Sequence, residues 1–316
     1  MTRKTHHRPE VPQPAHPEQR HEALPWQTPK PRGEDPEAPA KLERILNSPS
    51  YVQADRDIEF LARDDARAVR LQLDFLKPEL LLNQHGILHT IVVFGSTRIA
   101  EPAAAKAKVA ALREALAAAP EDRDIQRRLF TAERVLAKSR YYDVAREFGQ
   151  LVGNAGNGPH DSRLVVMTGG GPGIMEAANR GAHDTSAKTI GLNISLPHEQ
   201  YPNPYVTPEL CFRFHYFAMR KMHFLLRARA LVAFPGGFGT FDELFETLTL
   251  IQTRKIKPLP VILVGEHYWR KVIDIDYMVE EGVIDEEDRN LFWYAESAED
   301  IWEGILCWHE TNGEPL

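Results

Sequence analysis

The stretch "RLVVMTGGGPGIMEAANRGA", Arg163 to Ala182, passes from a short β-branched apolar run through a glycine turn into a segment of small and polar residues. The apolar run reads as a strand buried on both faces, and the residues after Gly173 read as a helix. Strand, glycine turn, helix is half of a βαβ unit, which closes with a second, parallel strand. The same order recurs upstream at "HTIVVFGS", His89 to Ser96, and downstream at "LVAFPGGFGTFDELFE", Leu231 to Glu246. "KTIGLNISL" and "LPVILVG" supply two further strands. Strands alternating with helices predict an α/β fold, a Rossmann-like doubly wound parallel sheet with added N-terminal helices.

The flanks are of different character. Residues 1–40 hold nine of the 23 prolines and four of the 13 histidines, and few apolar residues. Such a segment buries too little surface to offset its chain entropy, and it reads as a disordered tail; His6 and His7 read as solvated. Residues 41–86 read as a helical extension, with Ile58, Leu61, Ala62, Ala66, Val69 and Leu73 near one face. Residues 87–316 form the Rossmann-like domain, within which 101–150 is helical and divided in two by Pro120.

Composition narrows the function. A net charge of −7 supplies no basic field for nucleic acid. The two cysteines, Cys211 and Cys307, fit a cytoplasmic protein without a disulfide framework. No apolar run nears the roughly 20 residues of a membrane span. His215 and His223 lack the spacing of a helical zinc pair, so no metal is expected.

In doubly wound sheets ligands bind beyond the carboxyl ends of the strands. Three turns lie there: "FGSTR", "GGGPGIME" and "PGGFGTFDE". A glycine turn entering a helix exposes N–H groups beside the positive end of the helix dipole, where a phosphate fits. Neither G-x-G-x-x-G nor G-x-x-x-x-G-K-[ST] is present, which disfavours a dinucleotide or a Walker-type triphosphate and leaves a nucleoside monophosphate as the economical ligand. Thr240 and Glu243 have the spacing of a helix capping box, so Glu243 reads either as a cap or as a carboxylate placed for chemistry.

"PGGFGTFDE", read as P-G-G-x-G-T-x-x-E, together with "GGGPGIMEAANRGA", resembles the Lonely guy family of phosphoribohydrolases, often mislabelled lysine decarboxylases. The resemblance covers about residues 88–308. It implies cleavage of the N-glycosidic bond of a purine nucleoside 5′-monophosphate, with no dissociable cofactor, by a homodimer or larger even homo-oligomer. It implies Glu243 and Arg220 as the catalytic pair. Compact members carry M-H-x-R-K where this chain has Phe217-Ala218-Met219-Arg220-Lys221. This form is similar to a larger bacterial subgroup, for which AMP is the expected substrate, with a cytokinin riboside monophosphate as the alternative. A non-hydrolytic nucleotide sensor or carrier is the rival from another class.

The expected substrate-binding residues are Gly95, Ser96, Gly170, Gly171, Gly173, Met175, Lys221, Gly236, Gly237, Gly239 and Thr240. The amides of Gly236–Thr240 would hold the 5′-phosphate. Met175 would pad a flat base, and Ser96 would bind a substrate hydroxyl or cap a helix.

Overall fold

A computed structural model describes residues 23–158, 160–197, 201–314 and 316. Residues 1–22 of the expected tail, with His6 and His7, lie outside the described residues. The chain divides into two units between Arg67 and Ala68.

The first unit contains α1 (Ala38–Leu46), a 3₁₀ turn at Pro49–Tyr51, α2 (Ile58–Ala62) and another 3₁₀ turn at Asp64–Ala66. The long helical face expected here is interrupted. Asp57 starts α2 by accepting a 2.9 Å bond from the Phe60 amide, and Arg63 ends it in extended conformation. Ile58, expected on the buried face, is 80% exposed.

The second unit holds α3 (Arg67–Gln84) from Ala68 onward and builds a seven-stranded sheet, every adjacent pair parallel. In chain order its elements are β1 (His89–Phe94), α4 (Pro102–Ala118), α5 (Arg123–Lys138), α6 (Arg140–Gly153), β2 (Leu164–Thr168), α7 (Ile174–Asp184), β3 (Thr189–Ile194), β4 (Cys211–Phe214), α8 (Phe217–Leu226), β5 (Ala228–Ala233), α9 (Phe238–Gln252), β6 (Val261–Val264), α10 (Glu266–Val272), α11 (Ile275–Glu280), β7 (Trp293–Ala295) and α12 (Ala298–Thr311). The strand order is β4-β3-β2-β1-β5-β6-β7, the doubly wound arrangement that the alternating pattern predicts.

Side-chain alternation sends Ile91 and Val93 to one face of the sheet, Val92 and Phe94 to the other. The first face is covered by α6, α7 and α12, through residues such as Phe148, Ala178 and Ile305; Phe224, Leu244 and Trp269 of α8, α9 and α10 pack over the second. Both faces are dry, which is why the central strands are continuous apolar runs.

Three details differ from the sequence reading. The 101–150 region forms three helices: Pro120 separates α4 from α5, and a second break at Ser139 starts α6. Ser139 spends both its amide and its hydroxyl on the Leu136 carbonyl, at 3.0 and 2.7 Å. The short strands β4 and β7, both at sheet edges, were not among the expected strands.

Candidate active site

The strand order reverses between β1 and β5, so the crevice beyond their carboxyl ends is the topological switch point. Here the ladder continues into the turns. The Phe234 amide donates to the Phe94 carbonyl at 2.9 Å, and the Ser96 amide to that of Pro235 at 3.0 Å. The "FGST" and "FPGG" turns are thereby held side by side. A cavity of about 600 Å³ opens above them.

The floor of the cavity is the start of α9. Gly237 is the residue before the helix, and the Thr240 amide donates back to its carbonyl at 2.9 Å. The helix therefore starts two residues earlier than the sequence suggests, with Thr240 in its first turn and Glu243 a turn further on. No side chain caps this end, so the capping-box reading of Thr240 and Glu243 does not hold. The Phe238 and Gly239 amides have no partner within the helix, and both residues line the cavity at the positive end of the helix dipole.

The glycines of this turn differ in their reasons for being glycine. A Cβ on Gly236 would meet the Thr240 hydroxyl at 2.1 Å, so that glycine is required by packing. The Tyr268 hydroxyl of α10 donates to the Gly236 carbonyl and holds the turn from the other side. Gly237 and Gly239 would meet nothing within 4 Å and have no positive φ, yet both line the cavity. Packing within the chain does not demand glycine at either position. Open backbone of this kind admits the close approach of a ligand.

Glu243 is 7% exposed and lines the same cavity. Burial pushes its carboxyl up to about 7, although Arg220 and Lys221 pull the other way. Arg220, on α8, reaches across the end of β3. Its Nε donates to the Leu192 carbonyl at 2.7 Å, and its guanidinium lies 5.1 Å from the Phe224 ring centroid. Burial lowers the Arg220 pKa, against the attraction of Glu243 and Asp242. Among the described residues no ion pair of 4.0 Å or less joins Arg220 to Glu243. Both charges are desolvated, and each is stabilised by the other only at longer range.

The expected residues separate into two groups. Gly95, Ser96, Met175, Arg220, Gly236, Gly237, Gly239, Thr240 and Glu243 all line the cavity. Gly170, Gly171, Gly173 and Lys221 do not. Lys221 bridges α8 to α9 through Asp242 at 2.9 Å and Glu246 at 3.1 Å. The Gly169–Gly173 turn is a packing device: Asn203 donates from its amide to the Gly170 carbonyl at 2.8 Å and from Nδ2 to the Gly171 carbonyl at 3.1 Å. Gly173 has φ +76°, and a Cβ there would meet the Ser96 carbonyl oxygen at 2.4 Å. This turn reaches the cavity through Met175. Glu176 accepts a 2.8 Å bond from the Tyr142 hydroxyl of α6. Ser96 accepts from the Arg98 amide at 3.1 Å and caps no helix, because α4 starts only at Pro102.

The sequence reading missed several residues in or beside the cavity. A Cβ on Gly169 would sit 2.6 Å from Arg220 Nη2, so this glycine makes room for the guanidinium. Tyr268 and Phe217 also line the cavity, as do Thr131, Arg134, Val135 and Lys138 of α5. The α5 residues have the spacing of one helical face, which was legible; that the face turns toward the switch point was not.

A family model described as "Possible lysine decarboxylase" matches residues 175–305. Among curated proteins, the chain is 31% identical over 140 residues to a "Probable cytokinin riboside 5′-monophosphate phosphoribohydrolase LOG4" of Oryza sativa subsp. japonica, covering 43% of this chain and 60% of the relative. It is 30% identical over 171 residues to "Cytokinin riboside 5′-monophosphate phosphoribohydrolase LOG3" of Arabidopsis thaliana, covering 52% of this chain and 74% of that one. The chain spans less than two thirds of the length of three of the rice relatives it matches, 60–65%. Among solved structures, a molybdenum cofactor binding protein from Rippkaea orientalis is 26% identical, with 52% of this chain and 85% of that one covered at a TM-score of 0.34. No helix of the described residues is long and apolar enough to cross a membrane.

Proposed function

The chain belongs to the Lonely guy (LOG) family, and from that premise we propose that it hydrolyses the N-glycosidic bond of a purine nucleoside 5′-monophosphate, AMP being the substrate we favour. The products are the free base and ribose 5-phosphate. The observation that carries this reading is Glu243: a buried carboxyl with its pKa raised to about 7, lining the same cavity as the start of α9.

A 5′-phosphate would accept bonds from the amides at Gly236–Gly239, the Thr240 amide being taken by the Gly237 carbonyl, with the open faces of Gly237 and Gly239 admitting it to the backbone. Phosphate and ribose are adjacent in the substrate, so the sugar then lies toward Glu243. As the C1′–N bond breaks, its electron pair leaves with the base and positive charge develops on C1′ and the ring oxygen. The Glu243 carboxylate stabilises that charge and takes a proton from the water that attacks C1′; the departing base nitrogen acquires a proton in turn. Arg220 keeps part of the Glu243 population ionised at neutral pH, which burial alone would suppress. Met175 and Phe217 offer apolar surface for the flat base. We also propose, on the family resemblance, a homodimer or larger even assembly.

The printed names of the relatives favour a second reading, a cytokinin riboside monophosphate as substrate. One assay separates the alternatives. Purine and pyrimidine monophosphates and isopentenyladenosine monophosphate are incubated with the protein, and free base and ribose 5-phosphate are quantified. If no monophosphate yields base above a Glu243→Gln control, the hydrolase reading is wrong, and saturable binding without release would support a sensor or carrier.

A further inference from the structure

The α5 wall of the cavity has no role in the chemistry above. Arg134 and Lys138 lie one turn apart on the helical face that lines the cavity, and Arg98, from the turn after β1, lines it too. Three other arginines of the α4–α5 hairpin are paired. Arg113 meets Glu133 at 2.7 Å, and Arg127 and Arg128 meet Asp124 at 2.8 and 3.8 Å. Among the described residues no carboxylate comes within 4.0 Å of Arg98, Arg134 or Lys138. The Arg134 guanidinium rests 5.2 Å from the Phe130 ring centroid, and Lys138 Nζ donates to the Arg134 carbonyl at 3.4 Å. In a chain with 45 acidic and 38 basic side chains, a concave wall with three such cations is a local positive field. A nucleoside monophosphate leaves that field unmatched, since its one phosphate is met by the amides of α9 and its base is neutral.

We propose that this wall is a second anion subsite, which takes a phosphoryl group of the nucleotide other than the one held at the start of α9. The proposal rests on the nucleotide reading of the cavity. The ligand class is a nucleotide with two phosphoryl groups, either a 5′-diphosphate or a ribose-phosphorylated monophosphate. Arg134 supplies a planar fork of donors and Lys138 a point charge, a pairing suited to a phosphoryl group presented sideways to the helix.

The test is calorimetric titration of the Glu243→Gln protein, which holds ligands without turnover, with AMP, ADP and adenosine 3′,5′-bisphosphate. At least one bisphosphorylated nucleotide binds about tenfold or more tightly than AMP, and which one locates the second group. Adding Arg134→Gln and Lys138→Gln removes that advantage and leaves AMP affinity within about twofold. The advantage also falls as salt rises. Thermal melts establish that the variants fold. Equal affinity for all three ligands, no binding of any, or an advantage that survives both substitutions overturns the subsite. Base release from AMP by the unsubstituted protein is measured in parallel. Release without a bisphosphate preference retires the subsite and leaves the hydrolase; a preference without release does the reverse.

Discussion

Replacing Glu243 by glutamine should abolish hydrolysis and stabilise the protein, and the stabilisation should depend on pH in a defined direction. The Glu243 carboxyl moves from an ordinary value of 4.5 to about 7 on folding, chiefly because burial penalises the charged form. The native state therefore binds this proton more tightly than the unfolded state. Between about pH 4.5 and 7 the native protein holds more protons, so wild-type stability falls as pH rises through that window. Above about pH 7 the full cost of the buried carboxylate is present; below about pH 4.5 it is absent. At about 1.4 kcal/mol per pH unit the gap amounts to about 3 kcal/mol. Glutamine has the shape of the acid without its charge, but its amide must find partners at a buried position, which removes about 1–2 kcal/mol. The expected net gain is about 1–2 kcal/mol at pH 8, turning into a net loss of about 1–2 kcal/mol at pH 4.5. Urea denaturation of both proteins at a series of pH values between 4.5 and 8 measures it. A difference that stays constant across that range, or grows toward acid pH, would refute the view that Glu243 is a strained, desolvated acid held in place for chemistry.

Four further outcomes are expected. In the monophosphate assay, log kcat/KM should climb with pH and level off near pH 7, because the ionised carboxylate is the active form; a profile flat from pH 5 to 8 would remove Glu243 from the proton transfer. Gly239→Ala meets open space, so stability should hold or rise, by up to about 1 kcal/mol of helix propensity, while KM rises about tenfold or more as the methyl blocks the phosphate. Gly169→Ala should displace the Arg220 guanidinium and lower kcat far more than it raises KM, which steady-state kinetics resolves. Tyr268→Phe removes the bond to the Gly236 carbonyl and should cost about 1 kcal/mol of stability with a modest rise in KM, read from melts and kinetics together.

The sheet was legible because its five central strands are buried on both faces and are apolar along most of their length. The edge strands were not: "CFRF" alternates over only four residues and "WYA" spans three, too little for any period to register. The "PGGFGTFDE" turn was legible as a phosphate-type turn through its glycines, but the helix start was misread. Thr240 has the composition of a cap, whereas the chain enters α9 through Gly237, a residue with no side chain to signal it. Lys221 sits beside Arg220 in sequence, but a helix turns adjacent residues about 100° apart, and that rotation sends one to the cavity and the other to Asp242. The "GGGPG" turn looked equivalent to the first because both are glycine-rich. Its glycines answer to Arg220, Asn193, Met175 and Ser96, and that depends largely on where distant segments return, which no local pattern encodes.

The pairing of β1 with β5 also governs when a functional molecule first exists. Thr90 is in register with Ala228, and the cavity draws its walls from Phe94 through Tyr268. A chain emerging from the ribosome can pair β1 with β2 and stack α6 on α7 well before β5 is made. Until β5 docks against β1 there is no switch point, and α9 has not been placed beside the "FGST" turn. The site is therefore among the last features of the fold to assemble, and closing so long a loop is slow relative to local pairing. Nucleotide can pull on the folding equilibrium only at this final step. It should slow unfolding of the finished protein while leaving the early phases of refolding unchanged.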